Sequence, residues 1–443
     1  MGRILVLGAG MVAGPLVQWL LARGHELTVT SLVREEAEAL VGGRPGGTAL
    51  ELDLGDRERL RELVGGSDLV VSLVPYVFHP RIARHCLDQG KHLVTASYVS
   101  PEMNALDAAA RERGLVFLNE LGLDPGIDHL SAMRVIDRLR EQGGTVEEFR
   151  SCCGGLPAPE AVDNPFGYKF SWSPRGVLLA GRNPARYLSG GELREVPAER
   201  LFRDMRLVHV PDAGDFEAYP NRDSLVYRDV YGLDRAHTIF RGTLRNLGWC
   251  DTMHGFARLG LLDMTERPAT GLTCADYVRE LAGAAPGTDP RAAAARAMVV
   301  AVESLPVWNL AWLGLLDEAP VGQDAISPFD LLARCMQEKL SFAPGQRDMI
   351  VLFHRFGARF PDGRRVVATS SLVARGDERA SAMARTVSLP AALGADLILG
   401  GDVRARGVLR PVLPEIYHPL LDGLAELGIV CREESRTLAA NPS

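Results

Sequence analysis

The residues best suited to chemistry crowd into one loop of eleven, Asn119-Glu120-Leu121-Gly122-Leu123-Asp124-Pro125-Gly126-Ile127-Asp128-His129. Three acids, a histidine, two glycines and a proline share it with no helical or strand period. A carboxylate such as Asp124 can bind a cation, or relay a proton where partial burial raises its pKa. Taken alone, Asp124-Pro125-Gly126 would equally serve as an Asx-type turn. The loop follows the apolar, strand-like run Leu115-Val116-Phe117-Leu118. In open α/β sheets, ligands and catalytic groups gather in the loops at the carboxyl ends of strands.

The elements that must position this loop begin at the amino terminus. Arg3-Ile4-Leu5-Val6-Leu7 is apolar without alternation, which predicts a strand buried on both faces of a parallel sheet. Gly8-Ala9-Gly10-Met11-Val12-Ala13 follows, then a helical pattern to Ala22 and a second strand, Leu27-Thr28-Val29-Thr30. This strand–GxGxx(G/A)–helix–strand order suits a dinucleotide pyrophosphate: the first glycine permits the tight turn, the second lets backbone approach phosphate, and the small Ala13 lets helix pack on strand. The acid that usually binds the ribose is missing from Thr30-Ser31-Leu32-Val33-Arg34. Ser31 and Arg34 are suited to a 2′-phosphate instead, although Arg34 also fits the exposed first turn of the next helix. Further strand-like runs at 48–52, 68–74, 92–95 and 115–118 bring the expected total to six mostly parallel strands, a doubly wound sheet.

The chain of 443 residues is too long for one small core, so two or three domains are expected. A net charge of −7 gives no support to a nucleic-acid partner. No uninterrupted apolar run reaches membrane-spanning length, and the first strand starts too early to leave room for a signal peptide. The cysteines number seven, an odd count with no CxxC, which suits reduced thiols in a cytoplasmic protein. No HExxH or spaced Cys/His cluster points to a metal.

Beyond residue 129 the pattern changes. Residues 131–142 read as a helix and 146–152 as a strand, followed by a turn-rich stretch from Cys153 to Glu160. Segments 225–231, 238–244, 349–359 and 365–374 read as strands of a second, mainly antiparallel layer. Residues from about 251 to 340, and again 380–399, read as helical.

Several distinctive blocks then occur in order: Ser72-Leu73-Val74-Pro75-Tyr76, Val94-Thr95-Ala96-Ser97-Tyr98, residues 120–129 and 153–160, Gly167-Tyr168-Lys169-Phe170-Ser171-Trp172-Ser173, Tyr219-Pro220-Asn221-Arg222-Asp223-Ser224, and Arg241-Gly242-Thr243-Leu244-Arg245. With these blocks the chain resembles, over nearly its whole length, the saccharopine dehydrogenases of the L-glutamate-forming type, also called saccharopine reductases. The resemblance implies an α/β protein: a Rossmann-type doubly wound parallel sheet over residues 1–128, completed by about 378–443. It implies a second, mixed α/β substrate domain over 129–250 and 341–377, and a helical insert over 251–340.

The chemistry implied is reversible, NAD(P)-dependent hydride transfer at a carbon bearing a secondary amine, followed by imine hydrolysis to L-glutamate and L-2-aminoadipate 6-semialdehyde. The substrate carries three carboxylates, which calls for guanidinium forks. By resemblance, Arg222 and Arg245 meet that need, with Lys169, Thr243 and Leu244 beside them and Ser97, Tyr98 and Asp124 on the substrate as well. Asp124, Tyr98 and Cys153 are the candidates for proton transfer, and nothing in the reaction requires a nucleophilic Cys153. The cofactor residues implied are Gly8, Ala9, Gly10, Met11, Val12, Asp53, Leu54, Val74, Ser97, Leu123, Asp124, Pro125 and Ser173, with Ser31 and Arg34 from the strand tip. Fungal NADP-dependent members carry an Arg at the position of Leu32 and a Thr at that of Ala96, and animal NAD-linked members an acid at that of Leu32. This chain has neither, so NADP and NAD both stay open, Ser31 and Arg34 tilting slightly to NADP. A homodimer is expected. The competing readings are a carboxynorspermidine synthase-like imine reductase and a non-catalytic dinucleotide-binding scaffold.

Overall fold

The computed structural model describes residues 1–438. It divides into two compact units: Met1–Thr145 with Phe360–Arg364 and Gly376–Leu438, and Val146–Arg359 with Arg365–Arg375.

The first unit is built on an entirely parallel sheet in the order Gly407–Leu409, Val116–Leu118, His92–Thr95, Leu69–Ser72, Arg3–Leu7, Glu26–Ser31, Gly47–Glu51. Six of these strands were expected from the sequence; the seventh, Gly407–Leu409, comes from the carboxyl-terminal segment and pairs with Val116–Leu118. The strand order reverses at Arg3–Leu7, which lies between Leu69–Ser72 and Glu26–Ser31. Helices Gly14–Ala22, Arg34–Val41, Arg57–Gly66 and His79–Gln89 make the crossovers. Central strands such as Leu69–Ser72 are buried at every residue, because helices cover both faces.

This unit extends past the boundary expected at residue 128. The helix Ile127–Glu141 belongs to it because Asp137 accepts a hydrogen bond from the Tyr417 hydroxyl at 2.8 Å, and Arg134 pairs with Glu433 at 2.6 Å. The helix Ala382–Gly400 matches the helical tail in the sequence. By length and hydropathy it is long and apolar enough to cross a membrane, but 67% of that window is buried inside the protein. It carries Asp396, whose carboxylate meets His25 Nε2 at 3.0 Å. Residues 439–443 of the expected completing segment lie outside the described residues.

The second unit holds a mixed sheet in the order Arg206–Val210, Gly214–Pro220, Thr238–Arg245, Thr145–Pro157, Asp348–Arg359, Arg365–Arg375. Thr238–Arg245 and Thr145–Pro157 run parallel, with Thr243 opposite Cys153; Gly214–Pro220 and Arg365–Arg375 lie antiparallel to their neighbours. The region 251–340 is largely helical, as its periodicity predicts, apart from the short antiparallel pair Arg267–Pro268 and Ala325–Ile326, yet it forms no unit of its own. Met253 and Phe256 share one hydrophobic core with Leu244 of the sheet and with Phe166 and Tyr168 of the segment that follows the strand Thr145–Pro157.

Two local expectations are overturned. Residues 225–231, expected as a strand, form the short helix Val226–Val230, started by Asp223 Oδ1 accepting from Leu225 N–H at 2.9 Å. The stretch after Cys152, expected to be turn-rich, stays extended to Pro157, and Cys153 is still paired opposite Thr243 of the Thr238–Arg245 strand. Its glycines are there for close approach rather than turning: a Cβ on Gly154 would lie 2.6 Å from Leu244 O. Strands with no expectation also appear, among them Ala185–Ser189, Glu192–Val196, Arg206–Val210 and Gly214–Pro220. The first two form a hairpin whose turn, Gly190-Gly191, holds φ +61° and +88°. That Gly-Gly pair was the readable signal.

Candidate active site

At the carboxyl edge of the parallel sheet, Gly8 leaves the first strand with φ +103°, and a Cβ there would sit 3.2 Å from Leu73 carbonyl carbon and 3.3 Å from Val74 Cγ1. Glycine is therefore required twice over, by conformation and by contact. Gly10 faces open space with nothing within 4 Å of an added Cβ, while Ala13 is buried ahead of the helix Gly14–Ala22. An open backbone loop leading into a helix N-terminus fits a pyrophosphate. Large apolar side chains stand uncovered in the loops after three adjacent strands: Met11 at 68% exposure, Leu32 at 70% and Tyr76 at 69%. Flat rings of a dinucleotide are the kind of ligand such side chains cover.

The strand tip offers less free phosphate-binding capacity than its composition implies. Ser31 Oγ donates to Glu36 Oε2 at 2.5 Å. Arg34 opens the helix Arg34–Val41 and pairs with Glu38 at 2.7 Å. Asp53 Oδ1 accepts from Gly55 N–H at 2.7 Å, and Leu54 O accepts from Arg81. Leu123 and Pro125 spend their carbonyls inside the loop, on Asp128 N–H at 3.1 Å and Gly122 N–H at 2.9 Å.

Two groups of polar side chains underlie this edge that the sequence reading left without a role. His79, at the start of His79–Gln89, shares Nε2 with Ser97 Oγ at 2.9 Å and Thr95 Oγ1 at 3.0 Å, and Nδ1 with Ser72 Oγ at 3.0 Å. Burial pulls its pKa down to about 4, so it is a neutral orienting group for Ser97. The second group centres on Glu120, which is 2% exposed. Its Oε2 meets His129 Nε2 at 2.8 Å, and its Oε1 accepts from Arg410 Nε at 2.7 Å and Val99 N–H at 3.0 Å. Burial alone would raise its pKa; the His129 hydrogen bond and charge, the Arg410 charge and the Val99 N–H outweigh burial and bring it to about 2. Beside this group the structure brings together the two proton-transfer candidates of this unit, the Tyr98 hydroxyl donating to Asp124 Oδ1 at 3.4 Å.

In the second unit Arg245 ends the Thr238–Arg245 strand and is 4% exposed. Nη1 donates to Leu244 O at 2.8 Å and Nε has no partner. Its guanidinium stands 4.8 Å from the Tyr168 ring, 5.3 Å from Trp249 and 6.0 Å from Tyr219. No carboxylate among the described residues pairs with it. Rings can hold a guanidinium by cation–π attraction, but a buried cation is stabilised fully only by an anion. Thr243 lies on the same strand, opposite Cys153, whose thiol is buried. The other candidates are disposed differently. Arg222 is exposed, holds φ +53°, and its carbonyl accepts from Arg186 N–H at 2.9 Å. Lys169 is 3% exposed and already engaged, Nζ lying 2.8 Å from Asp163 and 2.5 Å from Gln346. Ser173 Oγ accepts from Gly176 N–H at 3.2 Å, capping the helix Pro174–Ala180. Among the described residues no group of three or more His, Cys, Asp or Glu is arranged to hold a metal ion.

Comparison with known proteins gives these sites a family. Residues 4–118 match the family model described as the saccharopine dehydrogenase NADP binding domain, and residues 122–429 that of the saccharopine dehydrogenase C-terminal domain. The chain is 36% identical to the saccharopine dehydrogenase [NADP(+), L-glutamate-forming] of Schizosaccharomyces pombe, over 98% of this chain and 99% of the fungal protein. It is 39% identical to the mitochondrial alpha-aminoadipic semialdehyde synthase of Bos taurus over 98% of its own length, but spans only 48% of that longer protein. A solved structure of the apo saccharopine dehydrogenase (L-Glu forming) from Saccharomyces cerevisiae covers 99% of the chain with a TM-score of 0.88 at 35% identity. The chain belongs to the saccharopine dehydrogenase family.

Proposed function

We propose that this protein oxidises L-saccharopine reversibly to L-glutamate and L-2-aminoadipate 6-semialdehyde, with NADP or NAD as hydride acceptor, as an enzyme of lysine metabolism. The names carried by its fungal relatives support the reading, and one observation carries it: the buried, anion-free guanidinium of Arg245 in its ring of aromatic side chains. Such a group is suited to a substrate carboxylate, which would accept two parallel hydrogen bonds from the fork. Arg222 supplies a second cation for a ligand with three carboxylates, and Thr243 and Leu244 present the strand from which Arg245 projects.

Nicotinamide, when bound, supplies the hydride chemistry. In the first unit, Gly8, Ala9, Gly10, Met11 and Val12 would hold the pyrophosphate of the dinucleotide, with Val74, Ser97, Leu123 and Pro125 lining the same edge. As the substrate carbon loses hydride, its secondary amine becomes an iminium. Water adds to that carbon, the carbon–nitrogen bond breaks, and the nitrogen leaves as the amino group of glutamate. Asp124 is suited to hold the cationic amine and take its proton. The Tyr98 hydroxyl, bonded to Asp124, is suited to orient the water. Cys153, buried in a strand, serves as packing beside Thr243. Lys169, tied to Asp163 and Gln346, acts through its neighbours rather than as a free cation. The reading includes a cytoplasmic homodimer, a compartment that suits free, buried thiols.

Absorbance at 340 nm after adding L-saccharopine, with NADP⁺ and NAD⁺ in separate cuvettes, tests the reading. A rise in either one, with glutamate formed, is the expected result and also identifies the cofactor. Flat traces from protein that binds a dinucleotide would overturn it, in favour of carboxynorspermidine-type chemistry or a non-catalytic binder.

A further inference from the structure

Glu120 brackets Tyr98. Its backbone N–H donates to Ser97 O at 3.1 Å, and its Oε1 accepts from Val99 N–H at 3.0 Å, so the chain is tied on both sides of Tyr98 to one residue. The carboxylate is pinned in turn by Arg410 and His129, which reach it from the carboxyl-terminal segment and from the helix Ile127–Glu141. Glu120 also holds φ +56°, a left-handed conformation that costs a non-glycine residue of order 1 kcal/mol or more and persists only where contacts over-determine it. Four residues on, Asp124 accepts from the Tyr98 hydroxyl at 3.4 Å. At the far end of the loop, Asp128 Oδ1 accepts from Gly126 N–H at 2.6 Å and His129 N–H at 2.8 Å. Both partners of the Tyr98–Asp124 pair thus hang from backbone anchored at Glu120 and His129.

We propose that Glu120, backed by His129 and Arg410, is a positioning residue that keeps the Tyr98 hydroxyl within reach of Asp124 and thereby sets the rate of proton transfer in the reaction. The proposal rests on the saccharopine-oxidising reading above. It accounts for a carboxylate at this buried position: an acceptor of lower charge would satisfy Val99 N–H but would not hold Arg410 and His129 around it.

The test is a double-mutant cycle between Glu120→Ala and Tyr98→Phe, read as kcat at saturating saccharopine and as dinucleotide Kd. Glu120→Ala should lower kcat at least about tenfold, a part of what a positioned acid or base contributes, while dinucleotide Kd moves less than about twofold. In the Tyr98→Phe background the same change should cost almost nothing, because the hydroxyl it positions is gone. Losses that multiply, or a kcat within about twofold of wild type, would overturn the proposal. Should Glu120→Ala not fold, the isosteric Glu120→Gln carries the same cycle, with a loss of about threefold or more expected to vanish beside Tyr98→Phe. Wild-type turnover of saccharopine is measured first, and its absence would overturn the reading of function, not the bracket. Amide exchange then decides the bracket without turnover: Val99 N–H should exchange roughly a hundredfold faster in the Glu120 variant, and unchanged protection would sink it.

Discussion

Arg245 illustrates what burial does to a single residue. An arginine read from sequence is most often a solvated charge. Here the guanidinium is withdrawn from water, lies among three rings, and has an orphan Nε. Hydrogen bonds to charged groups contribute about 1.5–3 kcal/mol, so Arg245→Ala should raise KM for saccharopine roughly tenfold to a hundredfold. Dinucleotide affinity, measured by fluorescence titration, should stay as in wild type; an unchanged KM would remove the residue from the site. The strand tip is the reverse case. Ser31 and Arg34 have the right types for a 2′-phosphate, yet Glu36 and Glu38 already engage them. NADP binding there would require those contacts to open, a demand that composition alone does not reveal.

Between elements, the parallel pair Thr145–Pro157 and Thr238–Arg245 sets where Arg245 sits. Gly154 allows the two strands their spacing: an added Cβ would meet Leu244 O at 2.6 Å and Leu244 Cβ at 2.9 Å, both on the strand that ends in Arg245. Gly154→Ala should cost about 1–3 kcal/mol by overpacking, lowering the melting temperature by several degrees. It should also raise KM for saccharopine while leaving dinucleotide affinity alone. A variant with wild-type melting and KM would show that the strands part freely. Element identity was legible where a pattern was strong, as in the apolar run of Arg3–Leu7 or the periodic helix Ile127–Glu141. It failed at Val226–Val230, where a run of apolar and aromatic residues mimics a strand but Asp223 starts a helical turn. It failed again at Glu192–Val196, whose four exposed residues before Val196 carry no apolar alternation.

Across the whole molecule, all seven cysteines are buried and none forms a disulfide, and burial pushes up the thiols of Cys86, Cys250, Cys274, Cys335 and Cys431, Cys335 to about 11 and Cys431 to about 12. The native chain should therefore react with fewer than about one equivalent of Ellman's reagent at pH 8, and with all of its thiols in concentrated guanidinium. Rapid reaction of Cys153 in the native state would contradict its burial and reopen a nucleophilic role for it.

The sequence by itself determined the parallel strands, the glycine turn, the family blocks and most candidate residues. Each of these is a local pattern: strands covered on both faces must be apolar throughout, and a phosphate loop needs glycine at fixed offsets. Only the tertiary structure decided which charges are paired. Glu120 and Arg410 stand 290 residues apart, and Lys169 and Gln346 stand 177 apart. Ion pairs and hydrogen bonds over such separations leave no period in the chain. Whether a charged side chain is left without an anion, as Arg245 is, or is already satisfied, as Lys169 is, depends on which distant groups the fold delivers to it.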